Sequence, residues 1–221
     1  MALKRNVEVT CPNCLIKSNI KLWNSINVTI DERIKEKVLD NDFFKFKCPI
    51  CGHVSTFEYD CLYHDMNKRE MIYLITNYSR NNDELAKELE ALSDEILPQF
   101  GNDYKLRIVT SNYDLIEKIK ILDCNLDDRV MEIYKLYYIT NLVDTNLDFC
   151  TKKIYFDYDI IKDSMIFILI DEKGETPLYN IDMKIYNFIR DKYLNNIEKK
   201  VYKGFQVIDE QWAIGINEYN N

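Results

Sequence analysis

The sequence predicts an α+β protein in which an N-terminal zinc-ribbon-like β domain with a helical insertion precedes an α+β C-terminal region. Two Cys-Pro-x-Cys runs, at 11–14 and 48–51, are flanked by residues that alternate between apolar and polar, which is typical of β-hairpins. Later segments carry apolar residues at helical spacing, and short apolar runs of strand length lie between them. The helical and strand patterns do not alternate regularly, which argues against a doubly wound fold.

The cysteine runs predict a metal site. Two thiolates separated by two residues can face one cation while the backbone turns between them, and two such pairs complete a closed tetrahedral shell that suits structural Zn2+. The predicted ligands are Cys11, Cys14, Cys48 and Cys51. An iron centre also accepts four thiolates, and a redox pair or a disulfide is a further alternative.

The elements around the cysteines form two predicted hairpins. Val7 and Val9 lead into the first run, and a strand follows it. Because 33 residues separate Cys14 from Cys48, the site needs an insertion, and the spacing predicts a helix from about Glu32 to Leu39 within it. The second hairpin takes in Phe44, Phe46 and residues 54–59, and the apolar run 71–75 extends the sheet.

The remaining elements predict a second region of mixed structure. A helix begins near Asn82 and is ended by Pro98 and Gly101, which sets the predicted domains at 1–80, 81–103 (a linking helix and turn) and 104–221. The last region is predicted to contain a strand at 104–110, helices at 111–122 and from 126, a hairpin at 154–158 and 164–171, a helix at 181–195, and closing strands around 205–207 and 212–216.

The charge distribution bears on possible partners. The formal net charge is −8, which argues against general binding to nucleic acid. Residues 1–53 nevertheless carry nine Lys/Arg and six Asp/Glu, a net of +3, whereas the remaining residues carry 20 basic and 31 acidic groups, a net of −11. A nucleic-acid-binding ribbon therefore stays as an alternative through these residues and the aromatic residues among them: Lys4, Arg5, Lys17, Lys21, Lys45, Lys47, Trp23, Phe44 and Phe46.

The sequence favours a cytoplasmic location. We expect no signal peptide and no membrane span, because the start lacks an apolar core and the longest apolar stretch, 165–170, is of strand length. Seven cysteines fit a reducing compartment, where four bind metal and three are free.

Several polar residues are candidates for chemistry. His53 and His64 are the two histidines, and Cys61-x-x-His64 has ligand-like spacing, although residues three apart on a strand face opposite sides. Asp128 and Glu132, with Glu117 and Asp127, form a possible carboxylate cluster for an enzyme. The preferred interpretation of this cluster is ordinary surface charge on a helix, with Lys135 near Glu132.

The chain resembles the CpXC family of prokaryotic proteins over roughly residues 1–135. The resemblance lies in the two Cys-Pro-x-Cys runs, the helical insertion and four later stretches: 62–65, 106–109, 115–119 and 126–129. Leu15 departs from the glycine seen at Gly52, which suggests a less tight first turn, and Cys61 is not expected from the family pattern. The family is functionally uncharacterised, so the resemblance implies a metal-bound fold and no reaction.

A non-enzymatic binding or adaptor protein with a structural metal site is the leading functional hypothesis, and a protein is its expected partner. The alternatives are an enzyme whose site lies around Asp128 and Glu132, and a nucleic-acid-binding ribbon.

Overall fold

The computed structural model describes residues 3–143, 151–171, 176–199 and 203–217, and it confirms the α+β class. Its strands are β1 (Leu3–Thr10), β2 (Lys17–Asn27), β3 (Lys45–Lys47), β4 (Val54–Thr56), β5 (Cys61–Asp65), β6 (Glu70–Leu74), β7 (Lys105–Val109), β8 (Thr151–Asp159), β9 (Ser164–Asp171), β10 (Leu178–Asn180) and β11 (Gln206–Val207). Its helices are α1 (Glu32–Leu39), α2 (Asp83–Phe100), α3 (Asn112–Asp123), α4 (Asp128–Val143), α5 (Met183–Lys199) and α6 (Glu210–Asn217).

The chain divides into two compact units. The first unit consists of Met1–Ile116 and Lys203–Gln206, and the second unit consists of Glu117–Tyr202 and Val207–Asn221. The first unit therefore takes in α2, the helix expected to link two domains. The domain division at 1–80, 81–103 and 104–221 stays a prediction.

A mixed six-stranded sheet organises the first unit, in the order β1-β2-β5-β6-β7-β11. β1 and β2 form the predicted first hairpin, and β2 then pairs in parallel with β5. Parallel neighbours require a crossover, and the segment between β2 and β5 provides it with α1 and a separate two-stranded sheet of β3 and β4. The helical insertion and the second knuckle are thus both parts of the connection that makes β2 and β5 parallel.

The helix α2 connects β6 to the parallel strand β7. Its N-terminus is capped because the side chain of Asn82 accepts a hydrogen bond from the amide of Leu85. The helix continues through Pro98 to Phe100, so of the two residues predicted to end it, Gly101 is the one that does. Gly101, at φ 109, provides the stop, because this backbone conformation is accessible to glycine and strained for other residues.

A short segment late in the sequence also belongs to the first unit. Residues 203–206 return to it, and the amide of Phe205 donates a hydrogen bond to the hydroxyl of Ser93 on α2. The ring of Phe205 lies 6.2 Å from that of Tyr73 on β6. The predicted strand around Phe205 and Val207 is confirmed as β11.

The second unit has its own core, built from α4, α5, α6 and the three-stranded sheet β10-β9-β8. Antiparallel β8 and β9 form the predicted hairpin. The predicted strand at 212–216 was wrong, because these residues form α6. The carboxylate of Asp209 caps this helix by accepting from the amide of Trp212, and Ala213 and Ile216 are buried at helical spacing. None of the helices in the described part of the chain is both long and apolar enough to cross a bilayer.

Candidate metal centre

The two cysteine runs form turns with the same hydrogen bonds. In the first, the amide of Cys11 donates to the carbonyl of Ile16 and the amide of Leu15 donates to the carbonyl of Cys11. In the second, the amide of Cys48 donates to the carbonyl of His53 and the amide of Gly52 donates to the carbonyl of Cys48. Each hairpin therefore presents its two sulfurs from an equivalent backbone turn, a knuckle.

The two knuckles bring four sulfur atoms together. The sulfurs of Cys11, Cys14, Cys48 and Cys51 all lie within 4.8 Å of one another. Sulfurs from opposite knuckles lie 3.7 Å apart in the pairs Cys11–Cys51 and Cys14–Cys48. Metal–sulfur bonds of ~2.3 Å in a tetrahedron place sulfurs ~3.8 Å apart, so the spacing fits one four-coordinate ion. The four cysteines are therefore arranged to hold a metal ion, and all four lack a disulfide.

The sulfur environments differ in their electrostatics. The side chain of Asn13 and the amide of His53 donate to the sulfur of Cys51 and lower its pKa to about 6. The amides of Cys51 and Ile50 likewise lower the pKa of Cys48. Thiolates at these two positions suit metal binding, which requires deprotonated ligands.

The pKa of Cys14 is shifted in the opposite direction to those of Cys48 and Cys51. The amide of Ile16 lowers the pKa of Cys14, but burial and the neighbouring thiols outweigh it and raise the value to about 12. The sequence-based prediction did not single out Asn13, whose side-chain amide donates to the sulfur of Cys51. Its position between the two cysteines of the first knuckle was the available signal.

Leu15 adopts the conformation of a glycine. Its φ is 59°, close to the 73° of Gly52 at the matching position of the second knuckle. The expectation of a less tight first turn was therefore wrong. The first turn is as tight as the second, and Leu15 is strained because it adopts a left-handed backbone conformation. The side chain of Leu15 is 73% exposed, so it gains little packing in return.

We expect Leu15→Gly and Gly52→Ala to change stability in opposite directions. A left-handed conformation costs a non-glycine residue about 1–2 kcal/mol, and glycine recovers this minus its own entropy of about 0.5–1 kcal/mol. Leu15→Gly should raise the free energy of unfolding by up to about 1 kcal/mol. By the same balance, Gly52→Ala should lower it by up to about 1 kcal/mol, although nothing obstructs the added carbon. Urea unfolding of the metal-loaded protein measures both changes. An unchanged free energy of unfolding in Gly52→Ala would contradict a strained left-handed turn at this position.

The other candidate ligands lie apart from the four sulfurs. Among the described residues, the metal-type cluster contains neither histidine and no further cysteine. On β5, Cys61 is buried and His64 lies on the opposite, half-exposed side, as their spacing predicts. Burial raises the pKa of Cys61 to about 12, and the imidazole of His64 is within 3.1 Å of the hydroxyl of Tyr104. These contacts indicate packing roles.

The predicted carboxylate cluster is real, but its interpretation as surface charge was wrong. Glu117, Asp128 and Glu132 are buried together with two lysines, Lys118 and Lys135. We call these five residues the ionic cluster. Lys118 was missed, although it shares a helical face with the apolar Leu115 and Leu122 three residues before and four residues after it. Asp127 lies outside the cluster, where it pairs with Arg129.

The basic residues near the knuckles are largely engaged with neighbours. Lys17 pairs with Glu8 at 2.7 Å, and Lys45 pairs with Asp42 at 2.7 Å. The ammonium group of Lys4 lies 3.7 Å from the ring centre of Trp23. Pairing of this kind is typical of a solvated strand surface and weakens the case for a nucleic-acid footprint.

Comparison with protein families gives a match to more than half of the chain. A family model described as "CpXC protein" matches residues 9–135, which include both knuckles and all five residues of the ionic cluster. No curated protein and no solved structure matches the chain.

Proposed function

The matched range covers more than half of the chain, so the chain belongs to the CpXC family, and on that premise we propose that it is a non-enzymatic zinc-ribbon protein that binds a protein partner in the cytoplasm. Cys11, Cys14, Cys48 and Cys51 are its proposed zinc ligands, and the meeting of their sulfurs within 4.8 Å is the observation that carries the proposal. A shell of four thiolates leaves no position for a water or substrate, so its role is structural.

Exposed aliphatic side chains on the knuckles support a binding role. Leu15 is 73% exposed and Ile50 is 67% exposed, one on each knuckle, and Ile16 and Val54 follow the knuckles at 44% and 52%. A metal bound by the knuckles would fix the backbone beneath these side chains. Large aliphatic side chains held exposed on a rigid turn are available for contact with a protein.

Burial of the ionic cluster argues against the enzyme alternative at Asp128 and Glu132. Their side chains are 1% and 6% exposed, so a substrate has no access to either carboxylate in this conformation. A catalytic carboxylate must come within hydrogen-bond reach of the substrate.

Metal content measured by elemental analysis tests the structural part of the proposal. We expect one zinc per chain in the wild type purified without added metal, and none in Cys48→Ser. Cys124→Ser is the matched control, since Cys124 lies outside the sulfur cluster and should leave the zinc in place. Iron in the wild type, or zinc retained by Cys48→Ser, would contradict the assignment.

The binding role is tested separately with a double variant, Leu15→Asn and Ile50→Ser. Asparagine tolerates the left-handed conformation, so the metal should stay bound. The assay is crosslinking in extract of the source cells, and proteins that crosslink to the wild type should not crosslink to this variant. The control is the double variant Ile160→Ser and Ile161→Ser, which alters two side chains that are 83% and 96% exposed. The control should crosslink to the same proteins as the wild type. Equal crosslinking by all three proteins would remove the knuckles as the binding surface.

A further inference from the structure

The ionic cluster joins two helices and a strand of the second unit through buried charges. The lysine Lys135 on α4 lies 2.9 and 3.1 Å from the two carboxylate oxygens of Glu117 on α3. The same carboxylate accepts a hydrogen bond from the amide of Phe156 on β8 at 2.6 Å. All three hydrogen bonds go to the two carboxylate oxygens of Glu117, and this geometry makes Glu117 the counter-ion of Lys135.

The second lysine has its own counter-ion. The ammonium group of Lys118 lies 3.2 Å from Asp128 and donates to the carbonyl of Ile208 at 3.0 Å. Its side chain is 3% exposed and that of Asp128 is 1% exposed. Charges buried this deeply are stable only when paired, so Lys118 and Asp128 form the second ion pair.

Glu132 is the remaining carboxylate. It shares Lys135 with Glu117, at 2.9 Å, and lies 3.8 Å from Lys118. With both lysines already matched, an ionised Glu132 would leave the cluster of three carboxylates and two ammonium groups with one uncompensated negative charge. Its side chain is 6% exposed, so water screens little of that charge.

We propose that the ionic cluster is a proton-binding site, that Glu132 carries the proton near neutral pH, and that loss of this proton at higher pH weakens the core of the second unit. The proton brings the formal charge of the cluster to zero. The second unit thereby acquires a stability that depends on pH through one buried group.

The electrostatics of Glu132 and Lys135 agree with this assignment. Burial raises the pKa of Glu132 above the ordinary glutamate value of 4.5, against the lowering effect of Lys135 and Lys118. Burial alone would lower the pKa of Lys135, but Glu117 and Glu132 outweigh it and raise that pKa, so Lys135 keeps its charge.

The direction of the pH dependence follows from the raised pKa of Glu132. The folded chain binds the proton more tightly than the unfolded chain, so between pH 4.5 and the raised value the unfolded state has fewer protons bound. The free energy of unfolding therefore falls as pH rises through this window and is level above it. Each pH unit inside the window raises the unfolding equilibrium constant by up to about tenfold.

The charged groups that act on Glu132 are Lys118 and Glu117 of α3 and Lys135 of α4. The other elements contact these partners: the amide of Phe156 on β8 donates to Glu117, and the carbonyl of Ile208 accepts from Lys118. Arg129 also acts on Asp128, but its guanidinium is paired with Asp127.

Urea unfolding of the full chain in a Trp23→Phe background tests the proposal, because the single remaining tryptophan, Trp212, packs against the core of the second unit. From about pH 5 to about pH 9 we expect stability to fall with pH when residue 132 is glutamate and to fall less steeply in Glu132→Gln. The control Glu198→Gln removes an exposed carboxylate of the same unit and should keep the wild-type slope. Equal slopes in Glu132→Gln and the control would overturn the proposal.

Infrared spectroscopy detects the protonated carboxyl group directly in the folded wild type. At neutral pH the wild type should show the carbonyl band of an un-ionised carboxyl group, and a folded Glu132→Gln should lack it. A wild type without that band would overturn the proposal, as would a band that persists in Glu132→Gln.

Discussion

Loss of the metal is expected to unfold the knuckles and the sheet of β3 and β4 while the rest of the first unit stays folded. These two strands have three residues each and form a sheet of their own, which is too small to be stable in water without a further constraint. Structural zinc typically contributes about 10–16 kcal/mol of apparent binding free energy to small domains, far more than the cross-strand contacts of one short hairpin.

Hydrogen exchange measured by mass spectrometry locates this effect. In Cys48→Ser, or after chelation, residues 42–60 should exchange at nearly the unfolded rate. The core strands β6 and β7 should keep their protection, because Ile72, Leu74 and Leu106 are buried without help from the knuckles. Protection lost throughout β6 and β7 would contradict a local role for the metal, and protection kept at 42–60 would show that the hairpin folds alone.

Removal of one buried lysine is expected to have the largest effect in the second unit. Lys135→Met keeps most of the side-chain volume but leaves Glu117 without its counter-ion and removes the 2.9 Å contact with Glu132. Breaking a buried pair by deleting one partner costs about 3–5 kcal/mol, because the remaining charge is neither solvated nor paired. Urea unfolding followed by the fluorescence of Trp212 measures the loss.

Two further variants separate the charge from the packing. Adding Glu117→Gln to Lys135→Met should restore part of the stability, because a neutral amide can still accept from the amide of Phe156. Lys184→Met on the exposed face of α5 should change stability by no more than about 0.5 kcal/mol. A loss below about 1 kcal/mol for Lys135→Met would mean that the pair with Glu117 is weak or solvated.

The cluster of four cysteines could be predicted from the sequence because the geometry of each knuckle is local. Each Cys-Pro-x-Cys run specifies its own turn, and the flanking alternation specifies the hairpin that carries it. The insertion helix was predicted at Glu32–Leu39 and occurs there, since the spacing of Ile34 and Val38 acts within a single helix.

The ionic cluster could not be interpreted in this way, because its burial is decided by distant segments. Asp128, Glu132 and Lys135 show the spacing of surface salt bridges on a helix, and only the packing of β8 and the segment before α6 removes them from water. The strand prediction at 212–216 was wrong for a related reason. The alternation of these five residues fits a strand, but the carboxylate of Asp209 caps the N-terminus of a helix there.

Residues 203–206 have a consequence for how the protein is made. They belong to the first unit, and β11 covers β7 at the margin of its sheet. During translation, β1 to β7 leave the ribosome well before these residues do, so the nascent sheet has β7 as an open edge until β11 has been synthesised. An unpaired edge invites pairing with other chains. The order of synthesis therefore makes the interval between β7 and β11 the period in which a growing chain is most exposed to misassembly.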